Sequence, residues 1–114
     1  MEATRVTIDE ISERIDRGEQ FTFVDARNPD AWAAAETKLP GAIRVPADEV
    51  EQHLSEIPHE RTVISYCTCP HEASSARVAI ELTNHGYRNV HPLFIGFAAW
   101  EKAGLPLEAK SDGD

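Results

Sequence analysis

Apolar and polar positions along this chain follow two alternating periods, and the switches between them outline an α/β domain. Ile8, Ile11 and Ile15 recur at helical spacing behind Thr7-Ile8-Asp9-Glu10, which has the form of a capping box. A helix from Thr7 to about Arg17, closed by Gly18, follows. Phe21 to Asp25 alternates and is aromatic-rich, as a strand does. Asn28-Pro29-Asp30 turns the chain into a short helix over Ala31 to Ala35. Leu39-Pro40-Gly41-Ala42 is a turn, and Ile43 to Val45 a short strand broken by Pro46. Val50, Leu54 and Ile57 form the stripe of a further helix opening at Ala47 or Asp48. Then come a strand at Thr62 to Tyr66, a helix from about Ser74 to His85 ended by Gly86, a strand at Val90 to Phe94 interrupted by Pro92, and a last helix at Phe97 to Lys102.

Alternating strands and helices predict a three-layer fold with a central, mainly parallel, five-stranded sheet and helices on both faces. At 114 residues the chain has the size of one domain. The expected division is a domain over 1–108 and a flexible tail over 109–114. A net charge of −9 argues against a nucleic-acid partner, because phosphate binding needs a basic face. The apolar runs are too short to span a bilayer, so no membrane partner is expected. No basic-then-apolar leader opens the chain, which makes a cytoplasmic location the expectation.

Both cysteines, Cys67 and Cys69, lie between the strand at Thr62 to Tyr66 and the following helix. Two positions apart, they cannot staple distant parts of the chain. Unpaired N–H groups and the helix dipole favour a thiolate at such a place, and the thiolate is the reactive form. In a parallel α/β sheet, ligands sit beyond the C-terminal strand ends. Asp25 to Arg27, the cysteine loop and Gly96 all fall there, which is the strongest purely physical hint of a site.

The order of these segments resembles the single-domain rhodanese-like sulfurtransferases. The matching residues are Val24-Asp25-Ala26-Arg27, Leu39-Pro40-Gly41-Ala42-Ile43, Ile64-Ser65-Tyr66-Cys67, Ser74-Ser75-Ala76-Arg77, Gly86-Tyr87-Arg88-Asn89-Val90 and Gly96-Phe97-Ala98-Ala99-Trp100. The resemblance implies a cysteine that takes sulfane sulfur from a donor such as thiosulfate, a persulfide or a polysulfide, becomes a persulfide, and passes the sulfur to a thiol or other nucleophilic acceptor. It requires no cofactor and no metal. Counted from the strand, Cys67 is the catalytic position; counted back from the helix, Cys69 is. Cys67 is favoured, because a strand end fixes a residue better than a stretchable loop. Thr68, His71, Glu72, Ala73 and Ser74, with Arg27, are the expected substrate contacts, and Asp25 and Gly96 the structural residues beside the site.

The chain departs from the family's pattern at several points. The loop is about two residues longer than the common form, and holds His71 and Glu72 where many relatives have glycine and arginine. Glu72 disfavours a dianion, which makes a persulfide or polysulfide donor competitive with thiosulfate. Lys38 replaces a frequent histidine, and Ile95 replaces the first of two glycines, narrowing the mouth of the site. Two other classes remain in view. One is a non-catalytic or redox-sensing module using the Cys-x-Cys pair. In the other, Cys67, Cys69 and His71 hold zinc or copper, although no fourth ligand sits at a recognised spacing. A phosphatase or arsenate reductase needs a tighter cysteine–arginine loop than the nine residues between Cys67 and Arg77.

Overall fold

The computed structural model describes residues 5–68 and 73–110. In chain order the elements are α1 (Ile8–Asp16), β1 (Phe21–Asp25), α2 (Pro29–Ala34), β2 (Thr37–Lys38), β3 (Ile43–Arg44), a 3₁₀ helix (Val50–Glu56), β4 (Thr62–Tyr66), α3 (Ala73–Asn84), β5 (Val90–Pro92), α4 (Phe97–Lys102) and β6 (Glu108–Ala109). Local chemistry sets several boundaries. The Thr7 hydroxyl accepts from the Glu10 N–H at 3.2 Å, and the Asn28 side chain caps α2 by accepting from the Ala31 N–H at 2.8 Å.

The central sheet has the order β3-β1-β4-β5, and every pairing in it is parallel. Period-two alternation divides its side chains between two cores. Phe21, Phe23, Ile64 and Tyr66 pack with Ile11 of α1 and Phe97 and Trp100 of α4. Val24 and Val63 pack on the other face, with Val50 and Ile57 around the 3₁₀ helix and Val78, Ala79 and Leu82 of α3. The three layers are therefore helices, sheet, helices.

The expected fifth strand does not form as a ladder. Its place beside β5 is held by a single parallel bridge, Val6 to Leu93, with the Val6 N–H on Pro92 O at 3.0 Å and the Phe94 N–H on Val6 O at 2.8 Å. Pro92 has no N–H to extend it, and Thr7 turns at once into the α1 cap. Pro92 likewise ends β5 two residues before the sequence suggests. The segment after Asp48 is 3₁₀ rather than α, entered through Glu49 without a side-chain cap. The chain end also differs from expectation. Ala109 pairs with Thr37 in the antiparallel β2–β6 ladder, and the Lys110 N–H reaches Glu36 O at 3.0 Å, while 111–114 lie outside the described residues. Among the described residues no helix is long and apolar enough to cross a membrane.

The C-terminal strand ends are tied by one carboxylate. Asp25 is fully buried, and its Oδ2 accepts from the Tyr66 hydroxyl at 2.7 Å and from Arg27 Nη2 at 2.6 Å. The Arg27 backbone N–H donates to Oδ1 at 3.0 Å, and Arg27 Nε lies 3.0 Å from each oxygen. Arg44 of β3 donates to the main-chain oxygens of Asp25 and Arg27. Burial, then the Asp25 charge, push the Tyr66 phenol above its ordinary value, so it stays a donor. Tyr66→Phe leaves the Leu39 N–H, now 3.2 Å from the phenol oxygen, without its partner. Chemical denaturation should show a loss of about 1–3 kcal/mol for that variant. Asp25→Ala, which strands a buried guanidinium, should lose about 3–5 kcal/mol.

Candidate active site

The strand order reverses between β1 and β4: the chain moves outward from β1 to β3, then returns to the other side of β1 as β4. Crevices form at such a switch point beyond the carboxyl ends. Register pairs Asp25 with Tyr66 there, so Arg27 and Cys67 leave the sheet side by side. The Ala26 N–H on Tyr66 O at 2.8 Å continues the pairing by one step.

Cys67 follows the last residue of β4 and is 1 % exposed. Its main chain is clamped from α4: the Phe97 N–H donates to Cys67 O at 3.0 Å. Gly96, with φ 67°, lies so close that a Cβ there would overlap that same oxygen. Its neighbour Ile95 also has a positive φ, 64°, although it is β-branched and 53 % exposed. The thiol lies 3.6 Å from the hydroxyl of Ser75, which is buried in the first turn of α3. Ser65 of β4 holds that turn by donating to Ser75 O at 2.8 Å. The sequence suggests that Ser74 and Ser75 cap α3, but the helix begins at Ala73 and both serines lie within it. A hydroxyl facing a thiol can accept from S–H and, once sulfur is anionic, rotate to donate to it.

Arg27, expected at the substrate, is 1 % exposed and turned inward. Beyond Asp25 its Nη2 donates to Thr37 O at 2.9 Å, and aromatic rings surround the guanidinium: Phe97 at 4.7 Å, Trp32 at 5.2 Å and Tyr66 at 5.6 Å from their centroids. Trp32 forms a wall here, with Arg44 and Lys110 also on its ring. Lys38 bonds Ala42 O at 3.2 Å and faces Glu108 at 3.4 Å. Thr68 is exposed just after Cys67, and Ser74 lines a cavity. Cys69, His71 and Glu72 lie outside the described residues, and Ala73 is located only as the first residue of α3. Among the described residues no cluster of metal-ligating side chains occurs.

The cavity, about 200 Å³, opens beyond β1 and β3, between Ala26 to Pro29, Pro46 to Asp48, and Ser74 and Arg77 of α3. Sequence reading missed Arg77 and Asp48 as lining residues: Arg77 reads only as part of the helix opening Ser74-Ser75-Ala76-Arg77, Asp48 stands in no motif, and only the fold brings their segments together. A larger groove of about 510 Å³ lies between α1 and α4 against Phe94 and Ile95.

The model of the rhodanese-like domain family matches residues 7–103. The chain belongs to that family. A sulfurtransferase of Allochromatium vinosum is 33 % identical over 99 residues, covering 87 % of this chain and 89 % of that one. The thiosulfate sulfurtransferase GlpE of Vibrio cholerae is 31 % identical over 90 residues, covering 79 % and 81 %. The crystal structure of the BH2092 protein from Bacillus halodurans superposes with a TM-score of 0.76 at 26 % identity, covering 94 % of this chain and 77 % of that one. In this rhodanese-like domain the backbone is strained at the clamp on Cys67, where Ile95 carries a positive φ beside Gly96. Ile95→Gly should raise stability by about 1 kcal/mol in a denaturant titration, since glycine accepts φ near +60° without the Cβ penalty. Gly96→Ala should lower it by about 1–3 kcal/mol, because the new methyl must displace the Cys67 carbonyl.

Proposed function

We propose that this protein is a sulfurtransferase in which Cys67 carries the sulfur. The observation that supports this most is the buried thiol at the end of β4, 3.6 Å from the Ser75 hydroxyl and backed by the first turn of α3. Membership of a family with sulfurtransferase relatives supports the reaction class. The Cys67 thiolate attacks the outer sulfur of a donor R–S–SH. A Cys67–S–SH bond forms, the donor S–S bond breaks, and RS⁻ leaves with the electron pair. With thiosulfate, the leaving group is sulfite. An acceptor thiolate then attacks the outer sulfur of the Cys67 persulfide and regenerates the Cys67 thiolate. Each step exchanges one S–S bond for another, so no outside oxidant or reductant enters.

The Ser75 hydroxyl is in reach of the sulfur, and the α3 N-terminal dipole favours its negative charge. The clamp from Gly96 and Phe97 holds the Cys67 backbone while the outer sulfur changes partners. Incubation with thiosulfate, and separately with a low-molecular-weight persulfide, should add one sulfur to the intact mass. Cys67→Ser should abolish that addition, and Cys69→Ser should retain it. Loading that survives Cys67→Ser but not Cys69→Ser transfers the role to Cys69. Failure of both donors to load the wild type removes the enzyme reading and leaves the thiol pair as a redox module.

A further inference from the structure

The cavity lined by Ala26, Arg27, Asp48, Ser74 and Arg77 holds two cations and one anion, and one of the cations, Arg27, is neutralised by its buried pair with Asp25. Arg77 reaches it from α3 and Asp48 from the loop after β3. Both side chains belong to exposed residues. Arg27 and Asn28, also in the wall, are already committed, which leaves Ser74 as its remaining polar side chain. Arg27 is bonded to Asp25 and Thr37, and Asn28 caps α2. Among the described residues Arg77 makes only a loose same-helix pair with Glu81 at 3.8 Å, and such exposed pairs hold a side chain weakly. Among the described residues no hydrogen bond or ion pair engages the Asp48 carboxylate. The wall is also contiguous with the nucleophile. Ala26 is bonded to the residue before Cys67, and Ser74 adjoins Ser75, whose hydroxyl faces the thiol.

From this we propose that the cavity binds a zwitterionic α-amino-acid persulfide of the cysteine persulfide class as sulfur donor, Arg77 taking its carboxylate and Asp48 its ammonium. The inference rests on the sulfur-transfer reading and adds the donor class to it. Three physical points carry it. A single cation paired with a single anion matches a zwitterion, whereas a dianion such as thiosulfate gains Arg77 but meets Asp48. At about 200 Å³ the cavity lies below the roughly 300–1,000 Å³ of sites for drug-sized ligands, so it suits a small donor. The two charges arise on separate elements that line one cavity, Arg77 on α3 and Asp48 after β3, and a donor whose carboxylate and ammonium share one carbon presents one group to each. The transfer itself balances as above: the donor's S–S bond breaks, the Cys67 S–S bond forms, and cysteine thiolate departs.

The test uses the full chain and four donors: cysteine persulfide, cysteamine persulfide without the carboxylate, 3-mercaptopropionate persulfide without the ammonium, and thiosulfate. Arg77→Gln should raise KM about fivefold for the donors with a carboxylate and leave cysteamine persulfide unchanged, with kcat held. Asp48→Asn should raise KM about fivefold for the two ammonium donors and lower it for thiosulfate and 3-mercaptopropionate persulfide. Both sites are exposed, and unchanged thermal melting of the variants separates binding from folding. Equal shifts for all four donors, or none, overturn the proposal while sulfur loading by wild type leaves the enzyme reading intact. If no donor loads sulfur, calorimetry with the unreactive S-methylcysteine still decides. Binding weakened by either variant supports the cavity assignment, and no binding to wild type ends it.

Discussion

The Asp25 carboxylate is the point on which the carboxyl-terminal edge of the sheet depends. It is buried, and burial of a bare carboxylate is costly, so the surrounding chain must supply donors. The carboxylate's donors come from β1's extension and β4, and β3 adds a donor to the adjoining main chain. Arg27 follows β1, Tyr66 ends β4, and Arg44 ends β3 and bonds the main chain of Asp25 and Arg27. The strand ends are therefore fixed relative to one another by one charged group. Tyr66 is also the residue before Cys67, so the network that satisfies Asp25 sets where the thiol leaves the sheet. The large aromatic neighbours of Arg27 complete the arrangement by keeping water from the ion pair.

A second constraint acts on Cys67 from the other side. The chain between β5 and α4 approaches the Cys67 carbonyl so closely that only a residue without Cβ fits at Gly96. To deliver it there, Ile95 adopts a left-handed backbone that glycine would take more easily. The Phe97 N–H closes the contact. Backbone strain is thus concentrated beside the thiol, at the contact that fixes the Cys67 main chain. The cavity beyond β1 and β3 is lined by charged side chains, Asp48 and Arg77, that take no part in the Asp25 network.

Much of this fold was legible in the chain. Alternation at Phe21 to Asp25 and Thr62 to Tyr66, the Thr7 cap and the Asn28-Pro29 turn gave elements with boundaries correct to within a residue or two. Family order pointed to Cys67 and to the residues around it. Less legible were features that depend on what lies opposite. The sheet stops at four strands because Val6 has room for one bridge before Thr7 caps α1. The β2–β6 ladder is too short for periodicity to register, and it draws Ala109 and Lys110 onto the domain.

Sequence alone determined the layer architecture, the strand that ends in a thiol and the helix that follows it, because periodicity and turn chemistry are local properties. Tertiary structure decided the roles of the charges. Arg27 reads equally well as a substrate ligand or an ion-pair partner until Asp25, Tyr66 and Thr37 are found around it. Ser75 reads as a cap until α3 is seen to start at Ala73 and its hydroxyl is seen to face Cys67. Arg77 and Asp48, far apart in the chain, become neighbours of one cavity only through the parallel crossovers. The physical reason is common to all three. A side chain's charge or polarity is written in the sequence, but whether it is spent inside the protein or offered to a ligand depends on partners that only folding assembles.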